Sequence, residues 1–475
     1  MLSRCFAAAL LASALAGCMV GPDYKKPKVE VPAAWPGQAA DAPIALRWWT
    51  LYADAQLNLL VDEALTHNND LLVAAARVEE SRALLTSTRA DELPSVTAGA
   101  AASRNRISQR TATAFPGLPT EYNDYSVTLN ASWEIDFWGK YRRATEAARA
   151  DLLASESARD ALELSLEADV TRGYFNLRAL DAQVQITRQR LETRKKALAL
   201  EQIRFDAGEA SELALRQVEA ETMAAQALLP SLEQLQSEQE SALEVLLGRN
   251  PRELLESSVE RGVELDALAL PPAIPSGLPS DLLERRPDLR EAEQHLVASN
   301  ALIGVARAAY YFSISLTGAF GFESEKLSNL FSGPARLWQF AGGAAQTVFD
   351  AGRTTAQVNA ATARREQNLA LYQRTVQNAF REVKDALVAS RKSAERLTAE
   401  QTRISALRTA LRLAALRYQS GEASLLDVLD AERGLLDAEL NRVDAQRNQL
   451  SATTDLFKAL GGGWGPQSEG SVAAQ

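Results

Sequence analysis

Arg204-Phe-Asp-Ala-Gly-Glu-Ala-Ser211 recurs as Arg417-Tyr-Gln-Ser-Gly-Glu-Ala-Ser424, 213 residues further along the chain. Gly139-Lys140 returns at that same offset as Gly352-Arg353, and Leu247-Gly248 returns as Leu460-Gly461. Upstream the offset is 218: Asp70-Leu71 matches Asp288-Leu289, and Arg89-Ala90 matches Arg307-Ala308. Self-similarity at a fixed spacing marks a chain built from structural repeats. Two repeats are expected, 57–248 and 283–461, joined by a connection 249–282 with a Pro-rich stretch from 265. Each has one plan: a helix (57–90 and 281–309), two strands around a turn-rich loop, a very long helix, and a return helix (211–248 and 424–460).

The long helices run from Gly139 to Gly208 and from Gly352 to Gly421. A continuous helix of that length would reach about 100 Å. Val170, Leu177, Val184, Leu191, Leu198 and Phe205 stand seven apart. The second copy places Val383, Ser390, Leu397, Ile404, Leu411 and Tyr418 at the matching positions. A sustained seven-residue period implies helices packed side by side, and the stripe reads as coiled-coil core. Gly208 and Gly421 supply the left-handed residue that stops a helix, so the tips of two hairpins carry Gly-Glu-Ala-Ser. Pro230 interrupts the first return helix but not the second, where Val443 stands, so a kink is expected in one copy.

Between Tyr125 and Phe137 the alternation is nearly unbroken. Tyr125, Val127, Leu129, Ala131, Trp133, Ile135 and Phe137 share one face, and Ser126, Thr128, Asn130, Ser132, Glu134 and Asp136 the other. Phe312, Ile314, Leu316, Gly318, Phe320 and Phe322 repeat the pattern. Ser95–Arg104 and Leu337–Val348 alternate more weakly and are rich in Ala and Gly. A strand of this length suits a tilted membrane crossing, and Tyr122, Phe137, Trp138, Tyr310, Tyr311 and Trp338 cluster at strand ends as interfacial aromatics do. The strands alone also allow a soluble β-sandwich. Membrane strands must close into a barrel. Bacterial barrels have at least eight strands, and this chain offers four. Several copies would therefore share one barrel.

The 475 residues carry 51 Lys and Arg against 61 Asp and Glu, a net charge of −10 that gives no support for a nucleic-acid partner. Two Cys and two His leave no ligand-spaced metal cluster, and no phosphate loop or nucleophile elbow occurs. No cofactor and no enzyme activity are expected. His67 and His295 do not correspond under the repeat offset and read as structural. Arg4 followed by the apolar run Phe6–Ala16 has the form of a signal peptide, too short to span a bilayer. The run ends in Leu15-Ala16-Gly17-Cys18, similar to a bacterial lipobox, which makes 1–17 the signal and Cys18 the lipidated residue; an ordinary secretory signal with a chance Cys is the alternative. Residues 18–56, with Pro22, Pro27, Pro32, Pro36 and Pro43, read as an extended tether, and 462–475 as a C-terminal tail.

The lipobox followed by Gly21-Pro22-Asp23-Tyr24, the strand ending Trp133-Glu-Ile-Asp-Phe-Trp-Gly139, the doubled tips and Leu429-Asp-Ala-Glu-Arg433 together resemble the lipid-anchored outer-membrane factors of multidrug efflux systems, the OprM/NodT-like branch of the TolC superfamily. The resemblance implies an α+β membrane protein: a homotrimer with a 12-stranded β-barrel, four strands per chain, continuous with a long periplasmic α-helical barrel. It implies a passive exit duct in the outer membrane, served by a periplasmic adaptor and an inner-membrane transporter of the resistance-nodulation-division (RND) type. It places the periplasmic aperture at Leu426, Asp427, Asp430 and Arg433, and the adaptor-facing tips at Arg204, Gly208, Ser211, Arg417, Gly421 and Ser424. Where TolC has an Arg two residues after the tip Gly, this chain has Ala423, so a latch on that Arg does not carry over. Two other functions fit the same residues: the duct of a type I secretion system, and a lipid-anchored coiled-coil spacer with no channel.

Overall fold

The structure, a computed structural model, describes residues 19–32, 35, 46–108, 110, 119–271 and 279–462. Cys18, the signal 1–17 and the tail from 463 lie outside the described residues.

A 3₁₀ turn, Trp48–Tyr52, leads into α1 (Ala55–His67) and α2 (Asn69–Ala90), then β1 (Ser95–Arg106) and β2 (Glu121–Ile135). The long helix α3 (Lys140–Asp206) and its return α4 (Glu212–Leu246) complete the first copy. One-turn helices α5 (Glu253–Glu256) and α6 (Leu282–Arg285) precede α7 (Pro287–Ala308), β3 (Ser313–Ser324), β4 (Arg336–Ala345), α8 (Arg353–Gln419) and α9 (Leu425–Ala459). The copies agree to the residue in their long elements: α3 and α8 have 67 residues each, α4 and α9 have 35 each. α4 continues through Pro230 without a break. Among the described residues no helix is long and apolar enough to cross a membrane.

Two expectations need correction. Neither 57–90 nor 281–309 is one helix: the first breaks at Asn68 and the second at Arg286, both in extended conformation with ψ of 126° and 121°. Arg286 precedes Pro287, whose ring disfavours a helical neighbour before it. Asn68 turns its side-chain oxygen onto the amides of Asp70 and Leu71, capping α2, as Asn does in place of continuing a helix. The breaks are equivalent in space. Asn68 Nδ2 donates to Leu246 O at 2.9 Å, and Arg286 Nη1 donates to Ala459 O at 3.1 Å, so each satisfies the last carbonyl of the return helix of its own copy. The second correction concerns strand ends. β2 stops at Ile135 and β3 starts at Ser313, so Phe137, Trp138 and Phe312 lie outside the ladder, and β4 ends at Ala345 rather than Val348.

Spatial packing groups the described residues into two compact units: those within 19–28, 77–156 and 291–373 in one, those within 29–76, 157–290 and 374–462 in the other. Each unit takes part of both repeats.

The first unit carries an antiparallel sheet in the order β1-β2-β3-β4. Its register decides its faces. Val127 opposes Ala100 and Phe322, Leu129 opposes Ala98 and Phe320, and Trp133 opposes Leu316. Phe320 opposes Trp338, and Gly318 opposes Phe340. Directly opposed residues share a face, so these side chains form one apolar surface. Thr128, Asn130, Ser132, Ser315 and Thr317 lie with Gly99, Thr97, Ser95, Gly343 and Ala341 on the other. The apolar face is uncovered: Trp338 is 69% and Phe340 79% exposed.

In the second unit the heptad stripe is buried at half of its positions and half-buried at the rest, Leu198, Phe205, Leu397, Leu411 and Tyr418 among them. Val170, Leu177, Val184 and Leu191 of α3, and Val383 and Ile404 of α8, are buried; Ser390 is half-buried. Ile404 packs with Leu435 and Ala438 of α9. Trp48 and Tyr52, placed in the tether by sequence, are core residues: Trp48 stacks on Phe457 at 5.0 Å, and Tyr52 meets Phe175 edge-on. Asp54 is fully buried and satisfied. It caps α1 through Gln56 N and Leu57 N, accepts the Tyr174 hydroxyl at 2.7 Å, and accepts Val263 N from the connection.

One half-buried acid in this unit has no cationic partner among the described residues. Glu167 on α3 accepts the Trp48 indole N–H at 3.0 Å. Burial pushes its carboxyl up to about 7, neighbouring Glu163 adds repulsion, and the indole bond works against both. The folded carboxyl thus holds its proton above the ordinary value of 4.5, and the folded state binds more protons than the unfolded state across that window. Stability from this group falls as pH rises from about 4.5 to about 7. Glu167→Gln should raise the melting temperature relative to wild type at pH 8 and give no such gain at pH 4, measured by thermal unfolding in detergent.

Candidate functional site

The hairpin tips belong to the second unit, and their geometry follows from one residue type. Gly208 and Gly421 both have φ of +78°. In the first tip Gly208 N bonds Phe205 O and Glu209 N bonds Arg204 O; in the second Gly421 N bonds Tyr418 O and Glu422 N bonds Arg417 O. This is the same Schellman closure twice, with Gly as the left-handed residue after the helix. Ser211 and Ser424 then start the return helices as N-caps, the side chains accepting from Ala214 N and Asp427 N. The predicted tip residues Arg204, Gly208, Ser211, Arg417, Gly421 and Ser424 are therefore brought into two equivalent turns. Arg204 Nη1 also reaches the Tyr418 hydroxyl at 3.4 Å, linking the two turns.

The four residues expected at an aperture fall on the first turns of α9, and their bonds differ. Asp427 completes a capping box: its carboxylate accepts from Ser424 N at 2.9 Å and from the Ser424 hydroxyl at 2.8 Å. Those bonds hold its carboxyl below the usual range. Leu426 is exposed. Asp430, with 62% of its side chain exposed, pairs with Arg433 at 3.3 Å, the pairing its spacing predicts.

Sequence reasoning did not single out Glu221. This carboxylate of α4 receives Arg433 of α9 and, at 3.3 Å, Arg194 of α3. It is only 17% exposed and Arg194 9%, so Glu221 ties α3, α4 and α9 together. Arg194 also donates to the Glu221 carbonyl at 2.7 Å. A second acidic node repeats the device further along: Glu439 of α9 receives Arg190 of α3 and Arg408 of α8. Glu221 and Arg433 are 212 residues apart, so no local pattern could have paired them. The two His do not enter the site: His67 bonds its own helix at Glu63 O, and His295 lies beside Asp151 and Glu291 in the first unit. No metal-binding group of His, Cys, Asp and Glu occurs among the described residues.

A sheet with one complete apolar face, carried by a chain that otherwise consists of long polar helical hairpins, defines an outer-membrane channel of the TolC-like, α+β class. The sequence profile described as "Outer membrane efflux protein" matches residues 60–249 and 278–462, and the chain belongs to that family. It is 35% identical over 470 residues to the toluene efflux pump outer membrane protein TtgC of Pseudomonas putida, covering 97% of this chain and 96% of that one. It is 34% identical over 461 residues to the cation efflux system protein CusC of Escherichia coli, covering 96% and 97%. The crystal structure of the Campylobacter jejuni CmeC outer membrane channel superposes with a TM-score of 0.90 at 29% identity, over 95% of this chain and 96% of that one. The protein is an efflux channel component of the outer membrane.

Arg433→Ala removes a solvent-exposed guanidinium from its pairs with Asp430 and Glu221 and should change stability little. Glu221→Ala strips Arg194 of its carboxylate in a mostly buried setting and should cost about 1.5–3 kcal/mol. Denaturant unfolding followed by far-UV circular dichroism separates the two; equal losses would deny Glu221 its bridging part.

Proposed function

We propose that three copies of this chain form one passive exit duct of a tripartite efflux system, with a shared barrel of 12 strands. The observation that carries this is the sheet: four strands in order, one apolar face, and outer edges at β1 and β4 that pair with no strand among the described residues. Open edges are not tolerated in lipid, and the order β1-β2-β3-β4 alternates in direction, so β4 of one copy can continue antiparallel to β1 of the next. Three copies satisfy the minimum for a barrel and leave a water-filled interior lined by Ser, Thr and Asn.

The chain would be anchored by acyl chains on Cys18, act without cofactor or catalysis, and receive cargo from an RND transporter through an adaptor seated on the tips at Arg204–Ser211 and Arg417–Ser424. Efflux is favoured over type I secretion because the relatives are named for efflux. Those names include toluene and cations at nearly equal identity, which fits a duct that takes its selectivity from its pump. The resting constriction would lie at Leu426, Asp427, Asp430 and Arg433. Three Asp430 around an axis would favour cations and resist close approach.

The native mass of the detergent-extracted protein tests the assembly. Three protomers are expected; a well-behaved monomer, soluble without detergent once delipidated, would leave a periplasmic spacer. Asp427→Ala with Asp430→Ala should raise single-channel conductance in planar bilayers and weaken cation preference. Unchanged values would move the constriction elsewhere.

A further inference from the structure

We propose that the glyceryl ester of the lipidated Cys18 seats in a small amphipathic cavity where β2, β3 and β4 end next to the helices, so that the anchor is a built part of the first unit. The inference rests on the acylation of Cys18 and goes beyond it.

The segment after Cys18 is docked. Lys26 and Tyr24 bind Glu293 at 2.9 and 3.1 Å, Pro22 O accepts from Asn300 at 2.8 Å, and Asp23 accepts from Arg143 at 2.7 Å. Gly21, with φ of +108°, meets Gly304 so closely that a Cβ on Gly21 would stand 2.5 Å from Gly304 Cα. The partners 293, 300 and 304 are met as the chain is followed back towards its start, so the strap runs antiparallel to α7 and its first residues lie at the C-terminal end of that helix. There Val20 N–H donates to Trp138 O at 3.0 Å, and Met19 covers Gly139, where a Cβ would come within 2.9 Å of Met19 Cγ. A free tether needs neither a positive-φ Gly nor a notch without room for a Cβ.

Cys18 is one residue beyond this point, about 3.8 Å from the Met19 Cα. Trp138, whose carbonyl holds Val20, walls a cavity of about 220 Å³ together with Val305, Tyr311, Phe312, Glu134 and Lys140. Its apolar side is a stack: Trp138 lies on Tyr311 at 4.4 Å and meets Phe312 edge-on at 5.3 Å. Its polar side is the Lys140–Glu134 pair at 3.2 Å. Aromatic rings beside a hydrogen-bonding cation suit the level of a lipid where ester oxygens give way to methylenes. The volume takes the glyceryl and ester groups, and the acyl chains would continue along the apolar sheet face.

The test uses the full chain. Cells are fed a fatty acid bearing a diazirine beside its carboxyl group, or one bearing it at the far end. Mass spectrometry of the mature N-terminal peptide first establishes acylation; crosslinked peptides are then mapped after irradiation. The carboxyl-proximal probe is expected to mark peptides containing Trp138 or residues 305–312, and the distal probe the strands and phospholipid. Val305→Trp, which fills the cavity, should move the proximal crosslinks to phospholipid while the acyl mass persists. Acylated protein whose proximal probe marks only phospholipid, or a pattern indifferent to Val305→Trp, overturns the docking and leaves the anchor standing. An N-terminal peptide without acyl mass sinks the anchor and the docking together.

Discussion

Every backbone amide and carbonyl at membrane depth must find a partner within protein, because lipid offers none. The sheet meets this demand across its three internal seams and fails it at two edges. Register makes the failure informative. A slip of one residue at any seam would turn that strand's side chains to the opposite face. Instead Val127, Leu129, Phe320 and Trp338 align across separate pairings into one surface. A sheet so consistent, yet unpaired at β1 and β4 among the described residues, has the form of a segment of something larger. A barrel shared by three copies would satisfy the same backbone demand that made the sheet.

The helical hairpins answer a related demand in water, where the orphan carbonyls at helix ends must be satisfied. Gly208 and Gly421 do it with the same turn and the same φ. At the other end of the return helices the copies use different chemistry for the same bond: Asn68 serves Leu246, and Arg286 serves Ala459. Gly248 lies against His67 and Gly461 against Arg285 at the matching places. The repeats have diverged in residue type where a side chain only has to donate one hydrogen. They have kept Gly where the backbone itself takes a left-handed conformation.

Charge is distributed with a similar economy around the candidate aperture. Asp427 is committed to the helix start, where a carboxylate also complements the helix dipole. Asp430 and Arg433 remain at the surface, while Glu221 holds Arg433 and Arg194 from behind. The residues that would face a pore are thus braced by a carboxylate that would not. Glu167 differs from all of these, since its half-buried carboxyl is held by an indole rather than a cation.

Local periodicity sufficed for much of this. The seven-residue stripe, the alternation of β2 and β3, and Gly at matched offsets each report the chain's own backbone within a few turns, and they specified two hairpins, four strands and an α+β architecture. The aperture segment came from family resemblance, since Leu426–Arg433 has no feature that marks a pore in isolation. Tertiary structure alone decided the rest. β1 is poor in large side chains, so its faces were set by the register of its neighbour β2. Trp48 and Tyr52 passed for tether because nothing near them in sequence announces Phe457 or Phe175. Glu221, Asp54 and the strap at Gly21 act on partners more than 100 residues away. A sequence displays the repeat of its own turns and pleats, whereas the partner of a buried charge is chosen by packing between distant segments.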